Sequence, residues 1–202
     1  MGKAPDGVFE PLQKHIARRI EITEQEFALC TNFFVPRMLR KKQFLVQEGE
    51  PGKYIAYVTR GCLRTYTIDQ KGEEHVVEFA IEDWWASDLK SFLTGEPATF
   101  NIDALEDSRL LLIDRESREA LLHAVPKMER FFRLLQEANY VATHRRIGEA
   151  LGKTAEERYL SFLKMYPELV RRIPQKHIAS FLGITPQSLS RIRKELADSS
   201  DQ

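Results

Sequence analysis

The stretch HIASFLGITPQSLSRIRKEL, residues 177–196, decides how the last part of this 202-residue chain folds. Its apolar residues recur at helical spacing, stop at Gly183 and resume after Pro186. Gly183 suits the left-handed conformation that ends a helix, and Thr185 with Pro186 suits the cap and first turn of another. The stretch therefore predicts two helices joined by a turn of a few residues.

The second predicted helix has an apolar edge, which includes Leu189 and Ile192, and a polar edge of long hydrogen-bond donors. Two tightly linked helices of this kind are the arrangement that lays a helix in the DNA major groove. There a Gln amide pairs with adenine and an Arg guanidinium pairs with guanine, while other donors contact phosphates. The predicted DNA-contacting residues are Gln187, Ser188, Arg191 and Lys194 on the outward face, Gln175, Thr185, Ser190 and Arg193 towards phosphates, and Pro186 in the first turn.

Charge is unevenly distributed along the chain. The formal net charge is +0, but residues 69–119 carry fourteen acidic and five basic side chains, whereas residues 169–197 carry six basic and one acidic. A basic end on an otherwise acidic protein is typical of nucleic-acid binding. A helical hairpin with a solvated basic face would give the same counts, so charge alone leaves both interpretations open.

Residues 38–113 predict an all-β unit, preceded by two short helices. Turn signals such as GEPG at 49–52 and GEP at 95–97 separate the short β-rich runs QFLVQ, YIAYVT, CLRTYTI, HVVEFAI, TFNIDAL and SRLLLI. This spacing indicates a sandwich, roll or barrel. His75 and Glu78 lie in one run, but alternation along a strand puts them on opposite faces, so we expect no metal site there.

The residues after Pro126 predict one helix of roughly two dozen residues, longer than the usual length of about 11–12. A core helix and a dimer seam both explain its apolar stripe. The modest size of the β unit beside it favours the dimer seam. The residues assigned to that seam are Met128, Phe131, Phe132, Leu135, Ala138 and Ala142.

Together these features resemble the bacterial Crp/Fnr-type transcription regulators. The resemblance rests on IPQKHIASFLGITPQSLSRIRKEL at 173–196, GEPGKYIAYVTRG at 49–61 and FLTGEPATFNIDALEDSRLLLI at 92–113. It implies an α+β fold with a cyclic-nucleotide-binding-like double-stranded β-helix (a jelly roll) and N-terminal helices at 1–125, a long dimerisation helix at 126–152 and a helix-turn-helix domain at 153–202. It also implies a homodimer that reaches successive major grooves about 34 Å apart, with RNA polymerase and a small-molecule effector as candidate partners.

The sequence departs from the nucleotide-binding members of that family at two paired positions. Those members carry a Gly-Glu pair for the ribose, followed later by Arg and Ser or Thr for the cyclic phosphate. Here Ser87 and Asp88 stand at the first pair, and Ala98 and Thr99 at the second. Without the guanidinium a buried phosphodiester would be poorly compensated, so we expect ordinary cAMP binding to be lost. The effector pocket, if retained, is expected to involve Trp85, Ser87, Asp88, Ala98 and Thr99.

The sequence disfavours several other classes of protein. Cys30 and Cys62 lie far apart, which suits a reducing compartment and not an iron–sulfur centre. No signal peptide or apolar run of ~18 residues is present, so we expect a cytoplasmic protein without a membrane partner. No nucleophile–base set can be assembled, so we expect no enzyme, metal or cofactor. The chain stops soon after the recognition helix, so we also expect no C-terminal wing hairpin.

Two other functions stay open beside a DNA-binding regulator. One is a ligand-binding regulatory module that acts through protein partners and uses the C-terminal helices as a docking surface. The other is a cupin-type enzyme, which would require a metal in the β unit.

Overall fold

The computed structural model describes residues 7–200, without the side chains of the last two of these. Most helices and strands begin at recognisable signals: Thr23 and Thr154, for example, each form a capping box with the Glu three residues later. The elements are α1 Glu10–Ala17, α2 Glu24–Thr31, β1 Val35–Leu39, β2 Phe44–Val46, β3 Tyr54–Arg60, β4 Leu63–Ile68, β5 Glu74–Ala80, β6 Trp85–Ala86, α3 Leu89–Thr94, β7 Asn101–Ala104, β8 Ser108–Asp114, α4 Arg115–Ala124, α5 Lys127–Gly152, α6 Ala155–Met165, α7 Pro167–Arg172, α8 Gln175–Phe181 and α9 Pro186–Ser200.

The described residues divide into two compact units. The first contains the described part of Met1–Thr67 together with Glu78–Ala138. The second contains Ile68–Val77, which is the tip of the β4–β5 hairpin, and Asn139–Gln202 as far as it is described. The boundary between the units falls inside α5, so the long helix contributes to both.

Within residues 7–200 the strands form two four-stranded sheets, in the orders β1-β8-β3-β6 and β2-β7-β4-β5. Pairing is antiparallel, with Ala56 opposite Leu112 in the first sheet and Leu63 opposite Ala104 in the second. The predicted β roll with accompanying helices is therefore confirmed.

The two central strands of the first sheet, β3 and β8, are buried on both faces. Strand alternation sends Ile55 and Tyr57 of β3 to one face, where they pack in a core with α1, α2 and the start of α5. Ala56 and Val58 point to the other face and pack in a second core with residues of the second sheet, such as Leu63. A strand run such as YIAYV is apolar at every position because each of its faces has a core to fill.

A buried histidine lies in the first of these cores. His15 of α1 is 2% exposed, and its ring centroid is 5.2 Å from that of Tyr57 and 5.8 Å from that of Phe131. Trp85 Nε1 donates a hydrogen bond of 3.2 Å to His15 Nε2. Burial, helped by the positive charge of Arg19, lowers the pKa of His15 to about 4.

We expect this histidine to make the free energy of unfolding depend on pH. Because the folded-state pKa lies below the unfolded value near 6.5, the unfolded chain takes up the proton first. Stability present above about pH 6.5 should therefore be lost as the pH falls towards 4, by at most roughly 3 kcal/mol. Urea unfolding at a series of pH values between 7.5 and 4.5 measures this change in the free energy of unfolding. His15→Gln should remove this component of the pH dependence, whereas His123→Gln, at an exposed histidine, should retain it.

Candidate nucleic-acid interface

The predicted turn between α8 and α9 is held by the backbone itself. Gly183 has a φ of 67°, in the left-handed region that ends a helix. The backbone N–H groups of Gly183 and Ile184 donate to the carbonyl oxygens of Ser180 and Ala179, each at 3.0 Å. These bonds satisfy carbonyls that the end of α8 would otherwise leave unpaired. The two helices thus follow one another within a few residues, as the sequence predicts.

The start of α9 is capped from the turn. Thr185 Oγ1 accepts a hydrogen bond of 3.1 Å from the Ser188 N–H and lies 2.9 Å from Ser188 Oγ. Pro186 occupies the first position of the helix, where its missing N–H costs nothing. One turn on, Leu189 and Ile192 are 0% and 5% exposed. The cap and these two apolar residues fix where α9 begins and which edge faces inward.

The nine predicted DNA-contacting residues lie on this helix pair and in its turn. Gln175 lies at the start of α8, and the others run from the turn along α9. Arg191 Nε is 3.8 Å from Glu195 Oε1, and both side chains are largely exposed. Ser188 and Arg193 are partly buried; the exposed members are Gln175, Thr185, Pro186, Gln187, Ser190, Arg191 and Lys194.

Two residues that the sequence analysis missed hold this helix pair in place. Arg158 of α6 donates from Nε to the Leu182 carbonyl oxygen at 3.0 Å and from Nη1 to the Lys153 carbonyl oxygen at 2.7 Å. Ser180 Oγ accepts from the Val76 N–H at 2.9 Å and donates to the Glu74 carbonyl oxygen at 2.9 Å. The contacts of Ser180 join α8 to the β4–β5 hairpin tip, and both lie in the second unit.

The apolar residues of α5 are mostly buried in its first half and largely exposed in its second half. Met128, Phe131 and Phe132 are 0%, 0% and 3% exposed because they pack in the first core of the same chain. Leu135 and Ala142 are partly buried, and Ala138 is exposed. The structure thus leaves little of the predicted seam available to a second copy. The exposed apolar residues of the second half are Tyr140, Val141, Ile147 and Leu151.

The predicted effector residues are only partly brought together. Asp88 is 1% exposed; Oδ1 accepts the Ser91 N–H at 3.0 Å, and Oδ2 accepts the Thr99 N–H at 2.8 Å. Ala98 is buried with the second core, and Ser87 is partly buried. Trp85 instead packs against the first core, beside His15, and so lies on the other face of its sheet.

The described residues also contain one group with the chemistry of metal ligands. Asp69, Glu73 and His75 are exposed at the hairpin tip, and each offers a ligand atom within 4.8 Å of the others. Asp69 Oδ2 is 2.9 Å from His75 Nε2, and this hydrogen bond, with those from the Glu73 and Lys71 N–H groups, lowers the pKa of Asp69. The sequence analysis tested His75 against Glu78 and missed this trio, because a turn, not strand spacing, assembles it.

Comparison with known proteins identifies relatives of both parts of the chain. Residues 36–124 match the model of the cyclic nucleotide-binding domain. The transcriptional activator protein Anr of Pseudomonas aeruginosa is 24% identical over 169 residues, which cover 77% of this chain and 68% of that protein. The fumarate and nitrate reduction regulatory protein of Vibrio cholerae is 26% identical over 170 residues, covering 76% of this chain and 65% of that one. The matched region thus spans about two thirds of these relatives.

A solved structure shares the fold at low sequence identity. FixK2 from Bradyrhizobium japonicum is 21% identical, with a TM-score of 0.69 over 83% of this chain and 86% of its own. Among the described residues, no helix is both long and apolar enough to cross a membrane.

The glycine in the turn provides a test of the helix pair. An alanine at Gly183 meets no atom within 4 Å but must adopt a φ of 67°, which costs about 1–2 kcal/mol. Gly183→Ala should therefore lower the melting temperature, and Gly183→Asn should lower it less, since Asn tolerates this conformation. The matched control is Gly148→Ala within α5, which should be neutral or stabilising. Equal melting temperatures for the two alanine variants would contradict the turn.

Proposed function

The chain belongs to the Crp/Fnr family of transcriptional regulators, and from this premise we propose that it is a sequence-specific DNA-binding regulator that acts as a homodimer. The observation that carries the proposal is that α9 is buried along one edge and exposed along the other. Leu189 and Ile192 are buried, while Gln187 and Arg191 on the other edge are exposed. A helix held from behind, with long donors in front, can enter a major groove without rearranging its own core.

The proposed reading of bases rests on residues four positions apart. Gln187 and Arg191 are separated by one helical turn, so they lie one above the other on α9. Arg191 gives up little by leaving Glu195, because an exposed pair at 3.8 Å contributes little free energy. Thr185, directly before α9, and Ser190, within it, are exposed. Their hydroxyl groups suit phosphate contacts, which position the helix without reading sequence.

We assign the homodimer contact to a stripe on the second half of α5 that the sequence analysis did not select. Tyr140, His144, Ile147 and Leu151 follow one another at spacings of four, three and four residues and therefore share one helix face. The three apolar members are 66%, 49% and 85% exposed. A stripe with this spacing is the pattern by which two helices pack along their length.

The proposed sensor role differs from ordinary cAMP recognition. The position that carries Arg in nucleotide-binding relatives is Ala98, which is 3% exposed and offers no cation. We therefore propose that cAMP is not bound in the usual way and that the effector is of another kind. We propose RNA polymerase as a further candidate partner. A protein-docking module or a cupin-type enzyme is not favoured, because the relatives are regulators.

The DNA-binding proposal predicts a loss of specificity from single substitutions. Gln187→Ala or Arg191→Ala should weaken binding to a selected operator by about 1–3 kcal/mol and change binding to random DNA much less. Fluorescence anisotropy at fixed salt measures both affinities. Lys164→Ala, which removes an exposed positive charge from α6, is the matched control and should leave the ratio unchanged.

Two outcomes would count against this function. Equal losses on operator and random DNA would contradict base reading by α9. Selection from random oligonucleotides that enriches no two-fold-related sequence would contradict the regulator as a whole.

The dimer proposal predicts that charge on the stripe separates the two copies. Ile147→Glu combined with Leu151→Glu should convert the dimer into monomers, because two carboxylates would be buried without partners. Analytical ultracentrifugation measures the change. Ala138→Glu adds a carboxylate to an exposed position on the opposite side of α5 from the stripe and should leave the dimer intact. A dimer that survives the double substitution would show that the seam lies elsewhere.

A further inference from the structure

We infer that Asp88 is a built-in anion of the roll: its carboxylate fills a cradle of donors made by the loop between α3 and β7 and so denies them to an anionic ligand. The inference concerns the roll alone and holds whether or not the chain binds DNA. It assigns Asp88 as the residue that determines which class of effector this domain can take.

Four donors converge on this one buried side chain. Oδ1 accepts the Ser91 N–H at 3.0 Å. Oδ2 accepts the Thr99 N–H at 2.8 Å, the Thr99 hydroxyl at 3.3 Å and the Phe100 N–H at 3.2 Å. Two successive backbone N–H groups aimed at one oxygen form the kind of concavity that binds anions in many proteins. Here the anion is part of the chain.

Capping of the short helix α3 does not require this arrangement. Asp114 caps α4 by accepting the Ser117 N–H at 2.7 Å, which is the same bond that Asp88 makes to Ser91. The additional donors on Asp88 come from residues eleven and twelve positions further along the chain. Asp88 therefore holds the α3–β7 loop as well as the helix.

The cradle is fixed by contacts that do not involve Asp88. The Gly49 N–H donates to the Ala98 carbonyl oxygen at 2.9 Å, and the Ala98 N–H donates to the Glu50 carbonyl oxygen at 2.8 Å. Ser91 Oγ accepts the Gly52 N–H at 2.7 Å. The β2–β3 loop thus holds both sides of the cradle, so its donors should stay in place when the carboxylate is removed.

An external anion faces two costs at this position. It has to displace a carboxylate that is tethered beside the donors and therefore competes at high effective concentration. It also has to approach a negative charge in a buried place, where Coulomb repulsion is weakly screened. A carboxylate or phosphate ligand is thus disfavoured while Asp88 is present, whereas a neutral ligand does not compete for these donors.

The test removes the carboxylate and offers a small anion in its place. Asp88→Ala should lower the melting temperature, and sodium formate or inorganic phosphate should restore part of the loss beyond the effect of sodium chloride at equal ionic strength. Isothermal titration should give the variant at least about tenfold tighter phosphate binding than the wild-type chain. Asp114→Ala is the matched control: it loses a cap but should gain no anion dependence.

A second variant covers the case in which Asp88→Ala does not fold. Asp88→Asn keeps the size of the side chain but places its NH2 group either against the Ser91 N–H or against the Thr99 and Phe100 N–H groups, so at least one of these three amides should exchange with solvent faster. Unchanged exchange in this variant would overturn the inference, as would a folded Asp88→Ala that gains no phosphate affinity. Binding of cAMP or phosphate by the wild-type chain as tightly as by Asp88→Ala would overturn it as well.

Discussion

Burial of the inner edge of α9 is the constraint on which the functional face depends. Once Leu189 and Ile192 are buried, the helix cannot turn about its axis without exposing them and burying Arg191. Exposure of each apolar side chain costs about 1.5–3 kcal/mol, and burial of an unpaired guanidinium costs several more. The outward direction of Gln187 and Arg191 therefore follows from packing behind them, and no partner is needed to set it.

Much of this part of the fold could be predicted because its determinants are local. The cap at Thr185, the turn at Gly183 and the apolar spacing of α9 all lie within a dozen residues of one another. The roll was predictable in kind for the same reason, since each strand and turn carries its own signal. The pairing order of its strands was not, because registers such as Ala56 opposite Leu112 join distant parts of the chain.

The sequence leaves one pattern with two explanations. Along α5 an apolar stripe looks the same whether it packs against its own chain or against a copy. Phe131 and Phe132 pack inside the chain, whereas Tyr140, Val141, Ile147 and Leu151 are exposed. Arg158 and Ser180 carried no signal, because they bond to backbone atoms 24 and 106 residues away, and backbone partners leave no trace in residue type.

The two departures from the nucleotide-binding pattern are coupled by the length of one side chain. Aspartate is a strong N-cap, and capping α3 draws the carboxylate of Asp88 back towards its own backbone and within reach of the Thr99 and Phe100 amides. A longer glutamate is a weaker cap and would extend past them. With alanine at residue 98 no side-chain cation is supplied there, so the buried carboxylate depends on those loop donors for compensation. Loss of the arginine and shortening of the acid are therefore consistent with each other. Each change removes a group that a bound nucleotide would contact, and the shorter acid pairs with the loop donors that the ligand would otherwise use.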